Sequence, residues 1–235
     1  MARSKERKGG RLREIVAELE SQANPENVAG MARYGINSKN TLGVSIPHLR
    51  AMAKRIGTDH ALALELWASG IHEARMLAGF IDDPAMVTET QIERWAKDFD
   101  SWDVCDQVCS NLFDRTPFAA AKAVEWSERE EEFVKRAGFV LMAALAVHDK
   151  NAPDVRFRGF LPLIAREAAD ERNFVKKAVN WALRQIGKRN RPLNAAAIAS
   201  AKRIRKMDSK AARWIAADAL RELESDAVQG RLARR

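Results

Sequence analysis

FVKKAVNWALRQIGKR (174–189) is written for a helix. At about 100° per residue, Val175, Ala178, Val179, Ala182, Leu183 and Ile186 fall on one broad face, the apolar stripe of an amphipathic helix that packs on a core. Trp181 is off that stripe and shares the opposite side with Lys177, Arg184 and Lys188. Two readings fit a tryptophan among like charges. It is a half-buried ring covered by lysine and arginine stems, or it belongs to a surface that meets something flat and anionic, such as a nucleic acid.

The same lettering occurs upstream. FVKRAGFVLMAAL (133–145) and FVKKAVNWALRQI (174–186) share Phe-Val-Lys-basic-Ala at an offset of 41 residues, near the period of HEAT-type helix pairs. EARMLAGFI (73–81) sets Arg75 before an apolar run, and KAARWIAADAL (210–220) is a looser echo. In this register Lys177 matches Arg136, so Arg136 faces the same way as the basic side around Trp181. Its own helix is almost wholly apolar from Ala137 to Val147, which leaves it ion-paired at a rim or reaching into a concavity.

Helical periodicity covers nearly the whole chain, and strand-like alternation is scarce. Helices are predicted near 11–23, 25–34, 46–56, 59–69, 71–81, 88–99, 101–113, 117–128, 131–148, 154–168, 172–189, 192–206 and 209–225. Thr88 with Gln91 fits a capping box. Pro117 and Pro192 suit first turns, and Gly57 and Gly70 suit helix ends. The expected fold is all-α, a curved α-solenoid of HEAT-like repeats, with a bundle of helical hairpins as the alternative. The expected organisation is a disordered basic tail over 1–10, one domain over 11–228 and a basic tail over 229–235.

Composition narrows the partners. The 235 residues are 46% hydrophobic and 31% charged, with a formal net charge of +8. The excess is local: thirteen Lys/Arg stand against Asp208 alone between Arg172 and Trp214, whereas EWSEREEE (125–132) is acidic. A confined basic region points to an anionic partner. Cys105 and Cys109 form no disulfide framework, and His48, His60, His72 and His148 are scattered, so neither a metal nor another cofactor is expected. MARSKERKGGRLR (1–13) has no apolar h-region, and AGFVLMAALAV (137–147) is too short to span a bilayer. A cytoplasmic monomer, away from membranes, is the expectation.

One further stretch suggests chemistry. In FDSWDVCDQVCSNLF (99–113), Ser101 is a plausible N-cap, and Val104, Cys105, Val108 and Leu112 make the core stripe. Trp102 and Asp106 are four apart and share a flank. The pair reads as a carboxylate beside an indole at a site, or as an ordinary core tryptophan with a dipole-favoured acid. Asp103 suits the dipole explanation better than Asp106, which lies a turn further in.

Several segments together resemble a known family. YGI…LGVSIPHLRAMAK (34–54), EARMLAGF (73–80), DSWDVCD (100–106), EFVKRAGF (132–139) and NFVKKAVNWALRQIGK (173–188) are similar, in this order, to the bacterial DNA alkylation repair glycosylases of the AlkD family, which are built of HEAT-like repeats. The resemblance runs from about Met31 to Leu220. It implies a site of Trp102, Asp106, Arg136 and Trp181, acting on cationic N3- and N7-alkylpurines in double-stranded DNA. Asp106 would stabilise the oxocarbenium and orient water, the tryptophans would flank sugar and backbone, and Arg136 would hold a phosphate. It implies a grip on the backbone that need not enclose the base. Lys177, Arg184, Lys188, Arg189, Arg191, Lys202 and Arg203, with Arg205 and Lys206, are the expected phosphate contacts. No lysine is evidently poised as a Schiff-base nucleophile, so a monofunctional enzyme on the bacterial nucleoid is expected. HDKNAPDVRFRG (148–159) is longer than the family pattern. A HEAT protein that binds DNA without excising bases, a scaffold for acidic peptides and an RNA-binding protein are the alternatives.

Overall fold

The computed structural model describes residues 2–234, with side chains from Gly10 onward. Among the described residues there is no strand. The helices are α1 Ala2–Ser21, α2 Pro25–Arg33, α3 Ile46–Ile56, α4 His60–Ala68, α5 His72–Ile81, α6 Glu89–Lys97, α7 Trp102–Asn111, α8 Ala119–Ser127, α9 Glu132–His148, α10 Asp154–Glu167, α11 Asn173–Gly187, α12 Arg191–Ile204, α13 Lys210–Leu223 and α14 Asp226–Ala233, with a 3-10 turn at Phe113–Arg115. The chain divides into two compact units, Met1–Thr116 and Pro117–Arg235, where the sequence reads as one domain over 11–228. No described helix is long and apolar enough to cross a membrane.

Each predicted helix is present, and the ends follow local chemistry. Thr88 Oγ1 accepts from Gln91 N at 3.2 Å. The reciprocal half of the capping box is missing, because Gln91 Nε2 turns to Asp82 Oδ2 at 2.7 Å. Gly57 ends α3 at φ +76°, a left-handed conformation that suits glycine. Pro192 lies in the first turn of α12 behind the Asn190 cap. Pro117 instead precedes α8, which starts at Ala119.

The segments expected as tails carry helical backbone. The backbone of α1 is helical from Ala2 through the segment read as a disordered tail over 1–10, of which Met1 lies outside the described residues. The segment 229–235 falls largely within α14. Ser225 Oγ caps that helix, Val228 and Leu232 bury its apolar side, and Gln229 Nε2 donates to Leu223 O at 2.6 Å and Asn194 Oδ1 at 3.1 Å. Arg235 lies outside the described residues.

In the first unit, α5 packs against α3, α4 and α7. Trp67 stacks on Trp95 at 4.0 Å, flanked by Phe99 and Phe113. In the second, α9 lies between α8 and α11 and is buried continuously from Val134 to Ala146. Such a helix needs close neighbours on several sides. Gly138 permits one of them: a Cβ there would lie 2.6 Å from Ser127 N.

Candidate functional site

In the first unit, α7 presents the indole and carboxylate pair. Val104, Cys105, Val108 and Cys109 are buried, while Trp102 and Asp106 are half-buried, as their i, i+4 spacing on one flank dictates. Trp102 Nε1 donates to Tyr34 O at 3.1 Å. The loop after α2 is tied to the same end of α7: Asn37 N donates to Ser101 Oγ at 2.8 Å, and Asn37 Nδ2 to Asp100 Oδ2 at 2.7 Å. Ser101 occupies the N-cap position, but its hydroxyl makes no cap bond to α7 and serves this loop instead.

Two buried acid contacts hold the surroundings. Glu73, 1% exposed, accepts from Leu42 N at 2.9 Å, Gly43 N at 2.6 Å and Val44 N at 3.3 Å. Gly43 has φ +80°, and a Cβ there would lie 2.3 Å from Asn24 O. His72 Nε2 lies 2.9 Å from Asp103 Oδ2. Burial opposes the charge on His72, but the Asp103 carboxylate, helped by Glu73 and Asp100, outweighs it and raises the pKa. Asp103 is thus held by a buried histidine. These residues line a cavity of about 360 Å³ that includes Met31, Val44, Met76, Trp102 and Gln107.

Other groups lie along α7. Arg50 NH2 donates to Gln107 Oε1 and Asn111 Oδ1, each at 3.3 Å, and its guanidinium stands 4.7 Å over Phe80. Arg50 lies in PHLRAMAK (47–54), a stretch that carries the family resemblance, but the sequence alone gives it no role. Cys105 and Cys109 are buried thiols. Burial first, then the contact with Cys105 and the charges of Asp106 and Asp114, push the Cys109 thiol well up. Among the described residues no group of three His, Cys, Asp or Glu is arranged to hold a metal ion.

In the second unit, Trp181 is half-buried on the polar side of α11, one turn from the exposed Lys177. Arg136 lies on the inner side of α9. It is only 5% exposed, and NH1 donates to Phe174 O at 2.6 Å, fastening α9 to the first turn of α11. Phe133 and Phe174 pack beside that bond at 5.6 Å.

The expected phosphate contacts separate into two groups. Arg184 NH1 pairs with Glu222 Oε2 at 2.7 Å and Asp218 Oδ2 at 3.4 Å, and Lys188 Nζ with Glu222 Oε1 at 2.6 Å. Burial works against the Glu222 charge, but Lys188 and Arg184 overcome it and lower its pKa. Arg189 donates to Ala146 O at 3.1 Å and to Lys150 O and Ala152 O at 3.0 Å, and lies 4.3 Å over Phe157. It ties the end of α9 to the following loop. Arg191, Lys202 and Arg203, with Arg205 and Lys206, are exposed on or just beyond α12, Lys202 within 3.3 Å of Glu224. A cavity of about 460 Å³ in this unit is lined by Lys150, Lys188, Arg189 and Arg231 with Asp154.

The family model described as "DNA alkylation repair enzyme" matches residues 15–223. The chain belongs to the DNA alkylation repair enzyme family. A protein of Listeria innocua, "Uncharacterized protein Lin0241", is 24% identical over 198 residues, covering 83% of this chain and 86% of its own. A solved structure superposes with a TM-score of 0.75 at 21% identity, over 90% of this chain and 94% of that one. It is described as "a new family of proteins related to the HEAT-like repeat DNA glycosylases with affinity for branched DNA structures". This alkylation repair family member therefore has the all-α HEAT-like repeat fold that its sequence suggests.

Proposed function

We propose that this protein is a monofunctional DNA glycosylase that hydrolyses the N-glycosidic bond of cationic N3- and N7-alkylpurines in duplex DNA. The observation that carries the reading is the pair on α7, Trp102 with Asp106, half-exposed on one flank in a chain whose family match spans residues 15–223.

The chemistry needs one carboxylate. An alkylated purine already carries a positive charge, so the departing base accepts the electron pair of the broken C1′–N bond without prior protonation. Glycoside hydrolysis of neutral leaving groups needs a second carboxyl as acid. Here Asp106 stabilises the developing oxocarbenium charge and orients the water whose oxygen bonds to C1′. Its carboxylate or bulk water takes the proton released. Trp102 presents a π face to the cationic, C–H-rich nucleotide. In the second unit Trp181 and the exposed cations Lys177, Arg191, Lys202 and Arg203 contact the strand, and phosphate contact of this kind is blind to sequence. Arg136 serves as a positioning residue, because its bond to Phe174 O fixes the start of α11. No cofactor enters the scheme, the protein acts as a monomer, and its place of action is the cytoplasmic nucleoid.

A second reading, DNA binding without excision, is favoured by the burial of Arg136, whose phosphate role the resemblance implies. Release of 7-methylguanine from methylated duplex DNA separates the two. Release by wild type and its loss in Asp106→Asn is the expected result. No release by wild type that still binds DNA would leave the non-catalytic reading.

A further inference from the structure

Helix α13 buries Ala211, Ala212, Ile215, Ala216, Ala219, Leu220 and Leu223, yet carries Trp214 at 42% exposure. Its register repeats that of α11. In α11 the buried pair Ala178 and Val179 precedes Trp181, and in α13 the buried pair Ala211 and Ala212 precedes Trp214 at the same interval. The two helices lie side by side, joined by Asn180 Nδ2 to Asp218 Oδ2 at 2.7 Å and by the pairing of Arg184 and Lys188 with Glu222. Trp214 is therefore the α13 counterpart of Trp181 on the same polar side.

Its surroundings are cationic. Lys176 Nζ stands 5.5 Å over the Trp214 ring; Lys210 and Arg213 are exposed beside Trp214 in the sequence of α13, and Lys177 is exposed next to Lys176 on α11. The acids nearby are engaged locally. Asp208 lies 3.2 Å from Arg213, and Glu171 accepts from Ser209 Oγ at 2.9 Å and Ala211 N at 3.1 Å. Asp218, one turn beyond Trp214, is held by Asn180 and Arg184, so four cations against three engaged carboxylates leave a positive surface about an exposed indole. An exposed ring flanked by ammonium and guanidinium groups is the arrangement that binds unpaired nucleotides, the ring stacking on a base while the cations meet phosphates. An acidic peptide would use the cations but offers the indole no flat partner. A paired base in a continuous duplex has both faces covered by its neighbours.

We propose that Trp214, with Lys176, is a stacking platform for an unpaired nucleobase of DNA. This rests on the protein's being DNA-binding, as in the function proposed above, but not on base excision. The test uses undamaged DNA: a blunt duplex, and the same duplex with a single-stranded thymidine tail. Binding is followed by fluorescence anisotropy for wild type, Trp214→Phe and Trp214→Ala. Wild type should prefer the tailed DNA. Trp214→Ala should lose that preference by about tenfold, within the range for one stacked base, and keep its affinity for the blunt duplex. Trp214→Phe should retain most of the preference. Equal affinity of wild type and Trp214→Ala for the tailed DNA would overturn the proposal, as would an equal loss on both substrates. Failure of wild type to bind either DNA would overturn this proposal and the glycosylase reading together. Absence of excision with the tail preference intact would overturn the glycosylase reading alone.

Discussion

His72 at the start of α5 and Asp103 in the first turn of α7 meet at 2.9 Å between Nε2 and Oδ2, with the His72 side chain almost wholly buried. The contact joins the two helices that carry Glu73 and the Trp102/Asp106 pair. Its strength depends on the charge of His72, whose pKa is raised against burial by Asp103, Glu73 and Asp100.

That shift gives stability a pH dependence. A histidine whose folded pKa exceeds its unfolded value contributes stability that is fully present below the unfolded pKa, about 6.5, and lost as pH rises through the folded pKa. Wild type should therefore lead His72→Gln by more at pH 5.5 than at pH 9 in urea midpoints at constant slope. An advantage that grows with pH would mean that the neutral ring is the stabilising form.

Asp103 and Asp106 lie on one helix but are expected to fail differently. Removing the Asp103 carboxylate leaves His72 buried without its partner, so Asp103→Ala should cost about 1–3 kcal/mol of stability. Its excision rate, measured where the variant is folded, should stay within a few-fold of wild type. Asp106→Asn should retain stability and DNA affinity while losing roughly 100-fold or more in single-turnover excision, the scale for removing one group that stabilises transition-state charge. Comparable rate losses in the two variants would remove the distinction.

Gly138 tests the packing of α9. A methyl group there would meet Ser127 N at 2.6 Å, Trp126 C at 2.9 Å and Ala123 O at 3.1 Å, all backbone of α8 or its end. Backbone cannot rotate aside, so Gly138→Ala should lower stability by about 1–3 kcal/mol despite the better helix propensity of alanine. Thermal or urea unfolding at wild-type stability would show that α8 moves away without penalty.

How much of this was legible in the sequence varied with the range of the interaction. The thirteen helix positions follow from 3.6-residue periodicity and from nearby signals such as Thr88 and Gly57, and these act within one turn. The flank shared by Trp102 and Asp106 is legible for the same reason. Helix α14 was not, because it is short and its Gln229 is held by Asn194 Oδ1 and Leu223 O, on other helices. The buried role of Arg136 depends on Phe174 O, 38 residues away. Likewise, a helical wheel places Arg184 and Lys188 on a basic face but does not show Glu222 of α13 opposite them.

This division of the cations carries the last prediction. Exposed Lys177 on α11 and Arg203 on α12 should act on DNA through phosphates, and each such contact adds roughly 0.9 to the slope of log affinity against log salt. Lys177→Ala and Arg203→Ala should each flatten that slope by about one unit and leave folding unchanged. Arg189 should behave oppositely. Its guanidinium is bonded to Ala146 O, Lys150 O and Ala152 O and covers Phe157. Arg189→Ala strips three carbonyls of a charged donor, so it should destabilise the second unit by about 2–4 kcal/mol, since hydrogen bonds to charged groups contribute about 1.5–3 kcal/mol each and their losses do not simply add. Its salt slope, measured on the folded variant, should match wild type. Paired unfolding and salt-titration measurements on the three variants check the assignment. A flattened slope for Arg189→Ala with unchanged stability would return Arg189 to the DNA-contacting set and place the carbonyl bonds second.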